Sequence, residues 1–360
     1  PYLYYKSSVQ GLSLSIDIGG GSTDIAVFDE DHDQAKLISS FKFAGNAIFG
    51  DGYPTGEYQN NSDRNGFVRA FKENAIDAVK GSGDAKEILN DILNSRKNSS
   101  DFSSYLFALE KDSSINFSYS RLLEKDKRLK LTHLVFFGAI AYYSANLLKK
   151  SGILEIPNYI LLSGTASKSA SILDSTENFM NLSALFQFIF EKVYGKKSEN
   201  GLSIKLSPIP KEVTCKGALK ANITENIRSA PVKVWIGGIK DDKWGNTFTK
   251  DLNVQETPKY GDIDDSSKTE IEYAIKDYYS ILDEYVKSIP LESKFIISPS
   301  AYQVFESTRD QGIKDYLIRG IKAYYKKDDL HIEETLFFYP LIGMLNKLSY
   351  SLSEKPDNDE

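Results

Sequence analysis

Between Leu12 and Phe28 two short apolar stretches are separated by three consecutive glycines, Gly19, Gly20 and Gly21. Leu12, Leu14, Ile16 and Ile18 alternate with Ser13, Ser15 and Asp17, the period-two pattern of a strand with one buried face. Glycine breaks the alternation, so the strand must turn there. Ile25 to Phe28 predicts a returning strand, Asp29 to Gln34 a polar turn, and Lys36 to Phe43 a third strand, an antiparallel meander. Glycine has no Cβ, so a loop of three can bring backbone N–H groups close to an oligophosphate. Ser22 and Thr23 add hydroxyl donors. Asp17 and Asp24 flank the loop, and carboxylates beside a triphosphate are useful only with a cation such as Mg2+, usually held through water. The expected site is a phosphate loop, Gly19 to Thr23, with Asp17 and Asp24 as candidate catalytic and metal-associated carboxylates that hold Mg2+ only together with the phosphate ligand.

The remaining text divides by pattern. Gly45 to about Lys130 is polar and helix-leaning, with segments 66–80 and 84–96 separated by Asn-, Ser- and Gly-rich joints, and predicts a helical inserted subdomain. Leu131 to Leu148 is eighteen residues without a charge, the lower edge of a membrane-span length. Thr132, His133, Ser144 and Asn146 interrupt it and Lys149 and Lys150 end it, so we expect a helix buried in an α/β domain and no membrane span. A strand at 159–162, a helix at 178–194, a strand at 202–206 and a helix from Pro210 follow, the alternation of a layered α/β domain. Beyond Pro231 a strand through Val232, Val234 and Ile236, a helix marked by Ile271, Ile275, Tyr278, Leu282 and Tyr285, a short strand 295–297 and helices near 311–325 and 333–351 are predicted. The expected division is 1–44 with 131–230 as one lobe, 45–130 as the insert and 231–360 as a C-terminal α/β segment without assigned role.

The stretch from Ser15 to Val27 resembles the second phosphate motif of the actin, heat-shock-chaperone and sugar-kinase superfamily, in the manner of its chaperone-, MreB- and FtsA-like branches. Two later stretches stand in the order that family requires. Asn158 to Lys168 resembles its adenosine motif, with Ser163–Gly164 where Gly–Gly is usual. Pro210 to Ala221 resembles its second connecting helix. Phe43-Ala44-Gly45-Asn46 occupies the place of a Gly-Gly-acidic turn, with Asn46 at the acidic position. The resemblance covers about residues 1–225 and implies an actin-like, ribonuclease-H-like ATPase lobe binding ATP and Mg2+. It implies nucleotide contacts at Gly19, Gly20, Gly21, Ser22, Thr23, Gly45, Ser163, Gly164, Thr165, Ala166 and Lys168.

The family's first phosphate motif lies in another lobe and is not among these residues, so the chain is expected to be a nucleotide-binding fragment of a longer ATPase, inactive alone. The missing N-terminal lobe and a protein client or filament neighbour would be its partners. Two other readings stay open: a scaffold or binding module that keeps the fold without turnover, and an exopolyphosphatase-like phosphohydrolase, although such enzymes commonly carry Glu where Asp24 stands. With 44 Lys and Arg against 50 Asp and Glu and no long block of either sign, no electrostatic footprint for nucleic acid is visible. Cys215 is alone and His32, His133 and His331 are scattered, so neither an internal disulfide nor a histidine metal site is expected. The expected location is cytoplasmic.

Overall fold

Alternation along the first strand resolves into two faces: in β1 (Ser13–Ile18) Leu14, Ile16 and Ile18 are fully buried, while Asp17 on the opposite face is half-buried. The structure, a computed structural model, describes residues 9–29, 35–53, 65–94, 98–209, 212, 216, 230–238, 247–250, 258–324, 330–332 and 334–354. β2 (Thr23–Phe28) returns antiparallel to β1, and β3 (Ala35–Phe41) returns antiparallel to β2. β4 (Tyr159–Ser163) pairs parallel with β1, and β5 (Ser203–Leu206) parallel with β4. The expected meander and its union with the Tyr159 strand in one sheet are thus present.

On the far side β6 (Val232–Trp235) joins β3 in parallel through the Ile38–Val232 pair, and β7 (Thr247–Lys250) pairs antiparallel with β6. The order is β5-β4-β1-β2-β3-β6-β7, a mixed sheet of an α/β fold. Strands β1, β3, β4, β5 and β6 all run the same way, so their carboxyl ends share one edge. In open α/β sheets that edge is where ligand crevices form.

Between β3 and β4 the chain leaves the sheet through helices α1 (Gly45–Phe49), α2 (Gly66–Ala78), α3 (Gly83–Asn94), α4 (Ser99–Leu109) and α5 (Tyr119–Lys125). It returns along α6 (Lys130–Lys150). Asp126 accepts from the Arg128 and Leu129 amides at the start of α6, and Lys149 and Lys150 sit at its negative end,. By length and composition α6 could cross a membrane, but 94% of its apolar window is buried inside the protein. His133 is enclosed there with Phe49 and Phe67 at its ring, and burial pushes its imidazole down to about 3,.

After β4 come α7 (Ser169–Leu173) and α8 (Met180–Tyr194), which packs along α6. The C-terminal helices are α9 (Asp265–Lys287), α10 (Leu291–Phe295), α11 (Pro299–Thr308), α12 (Ile313–Tyr324) and α13 (Phe338–Ser353). Described residues beyond Pro231, among them Trp235, Tyr278, Phe337 and Phe338, belong to the main core. Tyr278 of α9 donates to the Val135 carbonyl of α6 at 2.6 Å, and Tyr142 donates to Asp277 at 2.7 Å. α13 lies on α2, where the Gly66 amide donates to Ser349 Oγ at 3.2 Å.

One expected element is corrected: Phe295 to Ile297 is not a strand. Phe295 ends α10, and Ile296 takes a left-handed conformation, φ 56°, leaving its side chain exposed while Phe295 and Ile297 are buried. An apolar triple without alternation carries no period, so it does not separate strand from helix end. Pro210 to Ala221, His32 and Cys215 lie outside the described residues, apart from Glu212 and Lys216.

Candidate functional site

Three turns meet at the carboxyl edge of the sheet. The first is the glycine loop joining β1 to β2. The Gly19 amide donates to the Ser22 carbonyl at 2.9 Å, closing the loop. Its outer carbonyls are held from the side: Gly19 O accepts from the Gly45 amide at 3.1 Å and Gly20 O from the Asn46 amide at 2.7 Å. In a planar trans peptide the N–H of the next residue points opposite to the C=O. Holding the Gly19 and Gly20 carbonyls toward α1 therefore turns the Gly20 and Gly21 N–H groups away from it. Gly20, Gly21 and Ser22 are exposed. A Cβ on Gly21 would meet nothing within 4 Å, and one on Gly20 only Asn46 Oδ1 at 3.9 Å. None of the three loop glycines has a left-handed φ.

The second turn, Phe43 to Asn46, is braced from behind. Phe43 stacks between Phe136 of α6, with ring centroids 4.9 Å apart, and Phe338 of α13, at 4.3 Å. Its carbonyl accepts the Thr23 hydroxyl at 2.6 Å. This corrects the expectation that Thr23 offers a hydroxyl to a ligand: its side chain is fully buried and its proton is committed to Phe43. Just before the turn, the Lys42 amide donates to Glu334 Oε2 at 2.9 Å, and Lys42 Nζ lies 3.2 Å from Glu334 Oε1. Glu334 and Phe338 were not singled out in the sequence, because their place against the turn comes from packing across nearly three hundred residues and has no local pattern.

The third turn follows β4. Gly164 has φ 84°, and a Cβ there would run into the Ile18 carbonyl and Asp17 Oδ1. The Ser167 hydroxyl donates to the Gly164 carbonyl at 2.6 Å and closes the turn, another contact unread in the sequence. Ala166 opens a 3-10 turn, Ala166–Lys168, and its Cβ lies 3.0 Å from where a Gly45 Cβ would be. Gly45 is thus the tight contact between the second and third turns. Thr165 and Lys168 are exposed at the rim.

Across the sheet edge Asp17 pairs with Asp24 on one side and with Ser163 on the other. Directly opposed residues project from the same face, so two carboxylates and a hydroxyl line up beside the loop. Carboxylates directly opposed across two strands present two oxygen-bearing side chains to a cation on one face. Among the described residues no three His, Cys, Asp or Glu side chains gather to hold a metal by themselves. The paired carboxylates fit a hydrated cation that a second ligand also holds, and the outward Gly20 and Gly21 amides fit an anion. Concave surfaces exist elsewhere, one lined by Asn74, Asp77, Arg121 and Lys125 and another by Glu155, Asn158 and Lys197. Neither touches the glycine loop.

A scan against protein-family models and a search of curated proteins give no match to this chain.

Proposed function

We propose that the chain is the phosphate-gripping lobe of an actin-like ATPase, binding ATP with Mg2+ at the Gly19–Ser22 loop. The carrying observation is the clamp on that loop: its carbonyls are held by Gly45 and Asn46, so the Gly20 and Gly21 amides turn away from α1 on an exposed loop,. Charge-assisted hydrogen bonds from backbone N–H to phosphate oxygen are worth roughly 1.5–3 kcal/mol each, and a preorganised pair needs no reorganisation to make them. Asp17 and Asp24 would hold Mg2+ through its waters, with the cation offsetting their repulsion and that of the phosphates. When bound, the cation would screen charge on the phosphates. Supporting the adenosine side are the sharp turn from Gly164 to Lys168, part of the stretch that the resemblance assigns to that role, and its contact with Gly45. Ser22, Thr165 and Lys168 remain exposed at the rim and are the side chains offered to the ligand.

The site offers donors on one side of a triphosphate. Hydrolysis needs the attacking water aligned and developing charge stabilised from around the reacting phosphate, so we expect binding without useful turnover by these residues alone. The test is titration calorimetry with ATP, ADP, AMP and inorganic tripolyphosphate, each with and without Mg2+, on the wild-type chain and Gly20→Val. The expected result is Mg2+-dependent binding of ATP and ADP, weaker binding of AMP, and loss of binding in the variant. Equal binding by wild type and Gly20→Val, or no binding of any phosphate compound, would overturn the reading. Preference for tripolyphosphate over ATP would favour phosphohydrolase chemistry on polyphosphate instead.

A further inference from the structure

Ser163, in one row with Asp17 and Asp24 across the sheet edge, carries a hydroxyl that is sealed from solvent and has no hydrogen-bond partner among the described residues. Its side chain is fully buried, and Oγ has no partner among the described residues. A buried hydroxyl normally finds one, and exceptions of this kind often stand where a bound water or ion supplies it. Three observations fix where that partner would lie. Ser163 is the register partner of Asp17 across the parallel β1–β4 pair, so the two side chains leave the sheet on the same face. The backbone turns sharply at Gly164, where an added Cβ would run into the Asp17 carboxylate. Ser167 Oγ, the neighbouring hydroxyl, is already committed to the Gly164 carbonyl and does not compete.

We propose that Ser163 is a positioning residue for the cation rather than a contact for the nucleoside: its hydroxyl hydrogen-bonds the water through which Asp17 holds the divalent ion. The inference rests on the phosphate-site reading above. Fixing such a water orients the carboxylate and the ion together, and loss of outer-shell partners of this kind typically weakens metal binding about 10- to 100-fold. Glycine or alanine at this position would keep the strand and the turn but leave the water unheld on that side. The ligand-free protein has the opposite preference, since it carries the hydroxyl unsatisfied.

Those opposed preferences set the experiment. Ser163→Ala and Ser163→Gly are compared with wild type in three measurements on the full chain: thermal unfolding without ligand, ADP affinity in excess chelator, and Mn2+ affinity in saturating ADP by electron paramagnetic resonance. The expected result is an alanine variant that melts no lower than wild type, metal-free ADP affinity within about twofold, and Mn2+ affinity lowered at least about tenfold. Ser163→Thr, which restores a hydroxyl, should recover part of the Mn2+ affinity. Mn2+ affinity unchanged in both small variants would overturn the proposal. So would a loss of metal-free ADP affinity as large as the loss for Mn2+, because the hydroxyl would then serve the nucleotide itself. A wild-type chain that binds no ADP, with or without Mn2+, would remove the phosphate-site reading and this inference with it. Normal ADP binding with metal affinity indifferent to Ser163 would remove only the inference.

Discussion

Gly164 and the pair Gly20–Gly21 stand in two turns that flank the carboxyl end of β1, and glycine answers different demands in each. At Gly164 the backbone is left-handed, and the space a side chain would take is filled by the Ile18 carbonyl and Asp17. The fold itself requires glycine there. At Gly20 and Gly21 the backbone is not left-handed and the space in front is open. Nothing among the described residues requires glycine at those two positions, while the clamp of Gly45 and Asn46 directs their amides away from α1. A small residue that the packing does not explain points to something outside the chain that must come close. The same contrast separates the hydroxyls. Thr23 is committed to Phe43, whereas the Ser163 hydroxyl beside Asp17 has no partner among the described residues.

The sharpest way to break this comparison is Gly164→Ala, which should have the largest effect on ligand-free stability. A left-handed φ costs an L-residue about 1–2 kcal/mol, and forcing a methyl into filled space typically adds 1–3 kcal/mol. We expect a loss of about 3 kcal/mol, read as a lowered midpoint in urea unfolding. A variant as stable as wild type would show that the two turns are less different than their geometry implies. Thr23→Val should have a smaller effect, because the shape is kept while the Phe43 carbonyl loses its buried donor. The expected loss is about 1–2 kcal/mol, again by urea midpoint. Because that hydroxyl ties β2 to the turn that clamps the loop, hydrogen exchange at the Gly45 and Asn46 amides should rise in the same variant.

The sequence discloses these features unevenly, for physical reasons that can be traced residue by residue. The meander is legible because Leu12 to Ile18 alternate apolar with polar residues, β4 because Tyr159 to Leu162 is a short apolar run ending at a glycine turn,, and the glycine loop because three glycines in a row have few other uses. α6 is legible as buried because polar side chains inside it do not suit lipid. Glu334 and Phe338 are not legible as supports of the Phe43 turn, since that contact joins residues with no shared period. β6 could be read as a strand from Val232 and Val234, but its union with β3 rests on the nonlocal Ile38–Val232 pair. The inward turn of the Thr23 hydroxyl is not legible, because motif spacing fixes which residue is present and not which way its hydroxyl points.

Gly21→Ala should have the smallest effect on the protein alone and is the most informative about the site. Its backbone is outside the left-handed region and its added methyl would meet no atom within 4 Å. Replacing glycine at such a position reduces the conformational freedom of the unfolded chain, so stability should stay the same or rise by up to about 1 kcal/mol. Binding should move the other way. The methyl would stand in the space through which an oligophosphate approaches the Gly20 and Gly21 amides, and losing one charge-assisted hydrogen bond of roughly 1.5–3 kcal/mol lowers affinity about tenfold or more. The measurement is a paired one, urea unfolding without ligand and calorimetric titration with Mg-ADP, on wild type and variant. A stability gain together with weakened Mg-ADP binding would show glycine held at this place against the interest of the fold. Weakened binding with an equal loss of stability would instead assign Gly21 to the architecture of the turn, alongside Gly164, and the contrast between the two turns would fail.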